Sequence, residues 1–296
     1  MILGYCNEKV QDPRCGKSAQ LRSCARHGYS ALITLSLLLL LSACTSPTQE
    51  LLKNHQWRGE TLAVDAFQLW VVRNRSDKPS GRTLHIYFSG DGSPWLNKQL
   101  IAADPSPRNP VALQLMSLDP NPAAYLGRPC YHLLRGKSQQ APCSPALWTS
   151  RRYSEEVVAV MAKGVQKLNR SKQNITIIGF SGGGVLATLV AERVPLVKTV
   201  VSIAANLDIE MWSDLMGYSP LSGSINPNTL ATLRADVRRI HLIGQQDKQV
   251  PPKVTRSFIG NHGGETLVFS GFDHHCCWNQ IWPGLSAKKF TNKNAL

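Results

Sequence analysis

The stretch ITIIGFSGGGVLA, residues 175–187, leads an apolar segment into a glycine-rich turn and then into residues that favour a helix. A strand that turns sharply into a helix can serve two different chemistries. It can expose a nucleophile, here Ser181 within G-x-S-x-G. It can also cradle a pyrophosphate, because Gly182 to Ala187 fits G-x-G-x-x-A. The choice between them depends on the rest of the chain.

Apolar, β-rich segments alternate with helical segments along most of the sequence. Strands are predicted for RTLHIYFSG (82–90), NITIIGF (174–180), LVKTVVSIAAN (196–206), RRIHLIGQQD (238–247) and ETLVFSGFDHH (265–275). Helices are predicted for 154–169, where Ser154 is the expected N-cap, and for 183–194. This alternation predicts an α/β domain with a mostly parallel central sheet flanked by helices.

Four other segments complete the expected domain. Residues 61–74 alternate like a strand, and PVALQLMSLD (110–119) resembles a buried strand. Residues 120–150, rich in Pro, Ser and Gly, predict a long loop of the kind that is usually functional or cross-linked. Residues 207–227 are irregular and contain aromatic side chains and methionines, so we expect a small cap or lid there.

Two segments downstream carry the partners that a nucleophilic serine needs. Asp247 follows one predicted strand, and His274 and His275 follow the next. The chain order Ser…Asp…His is the order found in α/β-hydrolases. A histidine can take the proton of Ser181, and a buried carboxylate can fix its tautomer and stabilise the imidazolium.

Two of these positions have alternatives. Asp247 could instead cap the helix suggested by the following Pro-Pro, with Asp208 as the other candidate acid. His274 and His275 cannot both serve, because adjacent side chains of an extended segment point to opposite sides. We favour His274.

A second glycine-rich turn, IYFSGDGSPW, follows the predicted strand at 82–90. An oxyanion hole combines the N–H after the nucleophile with an N–H from such an earlier turn. We therefore expect the N–H groups of Gly182 and Asp91 to be the two oxyanion donors.

These motifs together resemble the α/β-hydrolase superfamily, from about Arg82 to Trp282. They resemble in particular bacterial lipoprotein-type hydrolases with EGDG-like turns and HxCCW-like ends. The matching segments are Ser89–Gly92, Gly179–Gly183, Gly244–Pro252 and His274–Trp278, with Ser89 where that group has an acid. The resemblance implies the α/β-hydrolase fold, a hydrolytic activity and the triad Ser181, Asp247 and His274, but no substrate.

Other classes of site fit poorly. A dinucleotide site needs an acid about twenty residues past the glycines, but that strand ends SIAAN and Asp208 comes only later. No Gly-Lys-Ser/Thr triplet supports a P-loop, and H-E-x-x-H zinc spacing is missing. The net charge of +14 is spread along the chain without a nucleic-acid module. We expect no cofactor, no metal and no nucleic-acid partner.

The N-terminus resembles the secretion signal of a bacterial lipoprotein. Charged residues precede ALITLSLLLLLSA (31–43), a run too short to span a bilayer as a helix. Leu41-Ser42-Ala43-Cys44 looks like a lipobox, which implies that the Cys44 thiol is alkylated with a diacylglyceryl group.

The resemblance sets the expected organisation of the chain. We expect a signal peptide at 1–43, a lipidated tether at 44–60 and the hydrolase domain at 61–296. Thr45, in place of an aspartate, implies sorting to the outer membrane, facing the periplasm. About thirty residues precede the apolar run, which suggests that translation starts downstream of Met1.

Four cysteines remain beyond the lipobox, an even number for an oxidising compartment. Cys130 and Cys143 bracket a loop that suits a disulfide, and Cys276 and Cys277 could bridge each other or pair elsewhere. Sequence does not choose among the three possible connectivities.

The sequence predicts a lipid-anchored serine hydrolase that cleaves a carboxylic ester, with a small or lipid-like acyl substrate. An amidase or peptidase using the same triad is one alternative. A non-catalytic envelope lipoprotein that uses the fold for binding is the other. The oligomeric state is not indicated.

Overall fold

The computed structural model describes residues 46–74, 83–97, 99–132, 142–288 and 290 of the chain. The strands are β1 (Gly59–Val64), β2 (Phe67–Arg73), β3 (Leu84–Phe88), β4 (Trp95–Leu96), β5 (Leu100–Ile101), β6 (Ala123–Leu126), β7 (Ile175–Phe180), β8 (Val197–Ile203), β9 (Arg238–Gly244) and β10 (Glu265–Phe269). The α-helices are α1 (Pro47–Asn54), α2 (Val111–Ser117), α3 (Glu155–Leu168), α4 (Gly182–Ala191), α5 (Ile209–Met216), α6 (Pro252–His262) and α7 (Trp278–Lys288). Short 3₁₀ turns cover Pro145–Trp148 and Pro227–Thr229.

Eight strands form one sheet in the order β1-β2-β6-β3-β7-β8-β9-β10. The pairs β1–β2 and β2–β6 are antiparallel, and the remaining five pairs are parallel. Strands β3, β6 and β7 are buried along their whole length. Their continuous apolar sequences are therefore those of parallel strands covered on both faces.

A hydrophobic core lies on each face of the sheet. One core contains buried side chains of α3 and α4, and the other contains those of α2 and α7. The helix predicted at 154–169 is present, and the Ser154 hydroxyl accepts a hydrogen bond from the Val157 N–H. Parallel neighbours end at the same edge of the sheet, so the loops after β3, β7, β8, β9 and β10 cluster there.

The strand predicted at 110–119 was wrong, because this segment forms helix α2. Its buried side chains lie around most of the helix: Val111, Ala112, Leu113, Leu115 and Met116. A short apolar run that is buried on most sides lacks the polar positions that distinguish a helical period from a strand.

Two neighbouring predictions also differ from the structure. Residues 61–74, predicted as one strand, form the hairpin β1–β2, which turns at Asp65 with a φ of 50°. The long loop predicted at 120–150 contains strand β6, which inserts between β2 and β3. Strand β6 has only four residues, in a segment flanked by Pro122 and Pro129, so the sequence pattern was too short to indicate a strand.

The segment expected as a polar tether contains a helix, α1, capped by the Ser46 hydroxyl. Its Leu51 and Leu52 pack, partly buried, against the core that holds α2 and α7. The expected cap at 207–227 contains helix α5. The predicted signal peptide and Cys44 lie outside the described residues. No helix in the described part of the chain is long and apolar enough to cross a bilayer.

Candidate active site

Ser181 lies in the turn between β7 and α4, in a backbone conformation that a serine rarely adopts. Its φ is 52° and its ψ is −127°. The Ser181 N–H donates to the Ile203 carbonyl at 2.8 Å, and the Ser181 carbonyl accepts from the Gly184 N–H at 2.8 Å. These bonds tie the turn to β8 and to the first turn of α4. A strained residue held this way is typical of the nucleophile in a strand-to-helix turn.

The glycines around Ser181 are required because backbones approach closely there. A Cβ atom on Gly179 would overlap the backbone of Gly183 and Gly184. A Cβ on Gly183 would lie 2.5 Å from the Phe88 carbonyl oxygen. The G-x-S-x-G spacing therefore follows from α4 folding back over β7 and beside the end of β3. These contacts explain the motif without a bound phosphate.

Asp247 and His274 are hydrogen-bonded to each other. The distance from His274 Nδ1 to Asp247 Oδ2 is 2.8 Å, and both side chains are buried. Asp247 Oδ1 accepts from the backbone N–H groups of Gln249 and Val250, each at 2.8 Å. The His274 ring packs against Phe180, with ring centroids 5.0 Å apart, and so lies beside the residue that precedes Ser181.

The loops that carry Asp247 and His274 meet because β9 and β10 are neighbours. A Cβ on Gly244, the last residue of β9, would lie 2.7 Å from the Phe272 carbonyl oxygen. The Gln246 N–H donates to the same carbonyl at 2.9 Å. Only a glycine lets the end of β9 come this close to the histidine loop, which brings the acid and the base together.

Two residues that the sequence did not place in the site, Asp273 and Trp278, hold the loop that carries His274. Asp273 Oδ1 accepts from the N–H groups of His275 and Cys276 at 2.8 and 2.7 Å. The buried Trp278 donates its indole N–H to the His274 carbonyl at 3.1 Å. An acid immediately before the histidine pair was the available signal for the first.

The alternative acid and base lie elsewhere. Asp208 caps α5 through the Met211 N–H at 3.1 Å and accepts from Asn228 and Ser257 at 2.8 and 2.7 Å. His275 is exposed, and its Nδ1 lies 3.3 Å from the Gln249 amide nitrogen. In the part of the chain that the structure describes, neither side chain is hydrogen-bonded to Ser181, Asp247 or His274, although the His275 ring packs edge-on against His274 with ring centroids 5.0 Å apart.

The two expected oxyanion donors lie on adjoining turns. Gly182 occupies the first position of α4, where the helix supplies no acceptor for its N–H. Asp91 follows β3 by three residues. A Cβ on Gly90 would be 3.1 Å from the Ser181 Cβ, so the turn containing Asp91 touches the turn containing Ser181.

The Asp91 carboxylate binds three donors that the sequence did not reveal. Arg128 Nη1 donates to Oδ1 at 2.5 Å, while Arg152 Nη1 and the Tyr153 hydroxyl donate to Oδ2 at 2.9 and 2.6 Å. Burial raises the pKa of the Asp91 carboxyl, but Arg152 and Arg128 lower it more, to about 2. Asp91 is therefore ionised at neutral pH.

The cysteines pair in the order of the chain. Cys130 and Cys143 form a disulfide with their Cα atoms 5.6 Å apart, and Cys276 is bonded to Cys277. The first bridge links the segment of Arg128 to the segment that leads to Arg152. Among the described residues, no three His, Cys, Asp or Glu side chains group as a metal site.

Solved structures share this arrangement of strands and helices. An esterase of Pyrococcus furiosus has a TM-score of 0.53 at 17% identity, over 79% of this chain and 89% of its own. Est1E of Butyrivibrio proteoclasticus has a TM-score of 0.54 at 11% identity, over 77% and 95%. The acylaminoacyl peptidase of Pyrococcus horikoshii has a TM-score of 0.53 at 13% identity, over 80% of this chain and 42% of its own.

By sequence, no known family and no curated protein matches the chain. The structural likenesses, together with the strand order, show that the chain has the α/β-hydrolase fold. The predicted fold class is confirmed.

Proposed function

We propose that the protein is a serine hydrolase that cleaves a carboxylic ester through an acyl-enzyme. The observation that carries the proposal is the buried hydrogen bond between His274 and Asp247, at the sheet edge that also presents the strained Ser181. A fold that only bound a partner would not need a buried acid–histidine pair beside a strained serine. Two esterases and a peptidase with this fold agree with such chemistry.

In the proposed mechanism each residue has one step. Ser181 Oγ forms a bond to the carbonyl carbon of the ester, and the carbonyl π electrons move onto oxygen. His274 Nε2 takes the serine proton and later gives it to the departing alkoxide, as the carbon–oxygen bond of the ester breaks. Water then repeats the sequence on the acyl-enzyme and releases the acid.

Asp247 controls which nitrogen of His274 is basic. Its Oδ2 accepts a hydrogen bond from the Nδ1–H group, so Nε2 is left with the lone pair that must receive the serine proton. Two backbone N–H groups on Oδ1 fix the carboxylate itself. The N–H groups of Gly182 and Asp91 would bind the oxyanion.

Labelling with a fluorophosphonate probe tests this function. The wild type should be labelled covalently, and Ser181→Ala should abolish labelling. Ser106→Ala provides the control, because the Ser106 hydroxyl is hydrogen-bonded to Asp104 and to the His132 N–H instead of to the proposed triad. If correctly folded wild type is not labelled, the proposed hydrolase function is wrong. The alternative, a non-catalytic lipoprotein that uses the fold for binding, would then be favoured.

Paired substrates separate the ester from the amide. Chromogenic esters and anilides with the same acyl chain, in a series of chain lengths, would be compared by kcat/KM. We expect turnover of the esters with a preferred acyl length. Faster turnover of the anilides would favour the amidase or peptidase alternative.

We also propose that the protein is lipid-anchored at Cys44 in the bacterial envelope, on the outer membrane facing the periplasm. The lipobox-like sequence before Cys44 and the disulfide between Cys130 and Cys143 support this location. Cys44→Ser should release the protein from the membrane fraction. A variant that remains membrane-bound would contradict the anchor.

A further inference from the structure

Asp91, the residue expected to supply the second oxyanion donor, is held by hydrogen bonds at its carboxylate and at its backbone carbonyl. The carboxylate of Asp91 is bound by Arg128, Arg152 and Tyr153 at 2.5 to 2.9 Å. Its backbone carbonyl accepts a hydrogen bond from the Tyr131 hydroxyl at 3.0 Å. With side chain and carbonyl both held, Asp91 has little freedom to change its backbone conformation.

The donors are themselves buried and anchored. Arg128 and Tyr153 are fully buried and Arg152 is 6% exposed. Arg128 Nη2 donates to the Arg152 carbonyl at 2.6 Å, and Arg152 Nε donates to the Thr149 carbonyl at 2.7 Å. Burying two guanidinium groups with one carboxylate carries a desolvation cost, which only well-placed hydrogen bonds such as these offset.

The cluster lies directly against the nucleophile turn. A Cβ on Gly182 would overlap Asp91 Oδ1 and the Tyr153 hydroxyl. A lone carboxylate this close to the site would oppose the negative charge that develops on the substrate oxygen. Two arginines on one carboxylate give the cluster a net charge of +1, which reverses that effect.

We propose that Arg128 and Arg152 are positioning residues for acyl transfer, acting through Asp91. They hold the Asp91 N–H towards the oxyanion and make the charge beside it positive. The inference rests on the proposed hydrolase function. Residues 128–153 supply every side chain that holds Asp91 in the described structure, and the Cys130–Cys143 disulfide cross-links this segment.

The test compares arginine-to-lysine variants. In Arg128→Lys the positive charge is kept, but one ammonium group cannot reach both Asp91 and the Arg152 carbonyl. Arg151→Lys is the matched control, because Arg151 is half exposed and pairs only loosely with Glu156 at 3.4 Å. Tyr153→Phe removes one hydrogen bond to Asp91 with little change in volume, and serves if Arg128→Lys does not fold.

The measurements are kcat per active site, KM for an ester, and the inhibition constant of a trifluoromethyl ketone, whose adduct carries an oxyanion. Active sites are counted by complete fluorophosphonate labelling, so a merely unfolded fraction does not lower kcat. We expect kcat to fall about 100-fold in Arg128→Lys, on the scale of losing an oxyanion donor. It should fall about tenfold in Tyr153→Phe, on the scale of losing one hydrogen bond to a charged group. KM should stay within about threefold, and the inhibition constant should rise in parallel with the loss of kcat.

Unchanged kcat per site in the folded variants, with an active wild type, would overturn this inference alone. An equal loss in Arg151→Lys would overturn it as well, because the effect would not belong to Asp91. A wild type that neither labels nor turns over ester would overturn the proposed function and this inference together.

Discussion

Replacing Asp247 by asparagine should abolish nearly all turnover while leaving the fold intact. Asp247 Oδ1 accepts two backbone N–H groups, and Oδ2 accepts one ring N–H of His274. An asparagine amide turned towards the backbone would set its NH₂ against two donors. The amide must therefore keep its oxygen on the backbone and turn its NH₂ towards the ring.

This orientation determines the tautomer of His274. An NH₂ group facing Nδ1 requires a lone pair there, so the ring proton moves to Nε2. That nitrogen can no longer accept the proton of Ser181. The loss expected for a wrong tautomer with unchanged geometry is about 10⁴-fold in kcat, equivalent to about 5 kcal/mol of transition-state stabilisation.

Initial rates on a chromogenic ester give kcat and KM for Asp247→Asn, and circular dichroism checks the fold. Asp208→Asn is the matched control, because Asp208 is a buried acid that binds Asn228 and Ser257 instead of a histidine. Its kcat should remain within about threefold of wild type, since its contacts hold the start of α5 to Asn228 and Ser257 and involve neither proposed partner of Asp247. The assignment would be refuted if Asp247→Asn kept a tenth of the wild-type kcat. It would also be refuted if the kcat of Asp208→Asn fell as far as that of Asp247→Asn.

Three further predictions concern stability and are measured by urea unfolding. Gly183→Ala should lose about 1–3 kcal/mol because its Cβ would overlap the carbonyl oxygens of Phe88 and Ser89. Gly260→Ala should gain about 0.5–1 kcal/mol, because a Cβ there would meet no atom within 4 Å beyond its chain neighbours and its own helix backbone; equal effects would contradict the close approach. Replacing Cys130 and Cys143 together by serine should cost about 3 kcal/mol for a loop of 13 residues, and an unchanged midpoint would show that the bridge does not constrain the unfolded chain. Burial lowers the pKa of His241 to about 4, so the unfolded chain binds the extra proton below pH 6.5, and stability should fall by up to about 3 kcal/mol as the pH drops from 6.5 to 4. His241→Gln should reduce this slope and leave the share of His132, whose pKa burial also lowers to about 4; a slope equal to that of wild type would assign it to groups other than His241.

The parts of the site that sequence could predict are the ones that local patterns encode. Ser181, Asp247 and His274 each follow an apolar strand, and parallel strands bring their ends to one edge without further information. The alternation of side chains indicated only that His274 and His275 cannot both serve, and the resemblance to the family's motif favoured His274. In the structure His274 is hydrogen-bonded to Asp247.

The parts that sequence could not predict depend on contacts between distant segments. Arg128 and Arg152 bind an aspartate 37 and 61 positions earlier, and nothing in the loop around them distinguishes a buried arginine from a solvated one. Asp119 similarly binds His85 at 2.6 Å within a fully buried pair. Polar side chains leave no periodic signal, so their partners appear only in the folded chain.

The backbone of Ser181 sets two selective pressures against each other. A serine at φ 52° carries strain of about 1–3 kcal/mol, which a glycine would not. Selection for stability therefore favours glycine at this position, while the proposed role of Ser181 as the nucleophile favours keeping the hydroxyl. In a homologue that is no longer selected for activity, the single change Ser181→Gly would make the folded protein more stable. Inactive homologues that carry this glycine are then expected to have a higher free energy of unfolding than an active form with serine.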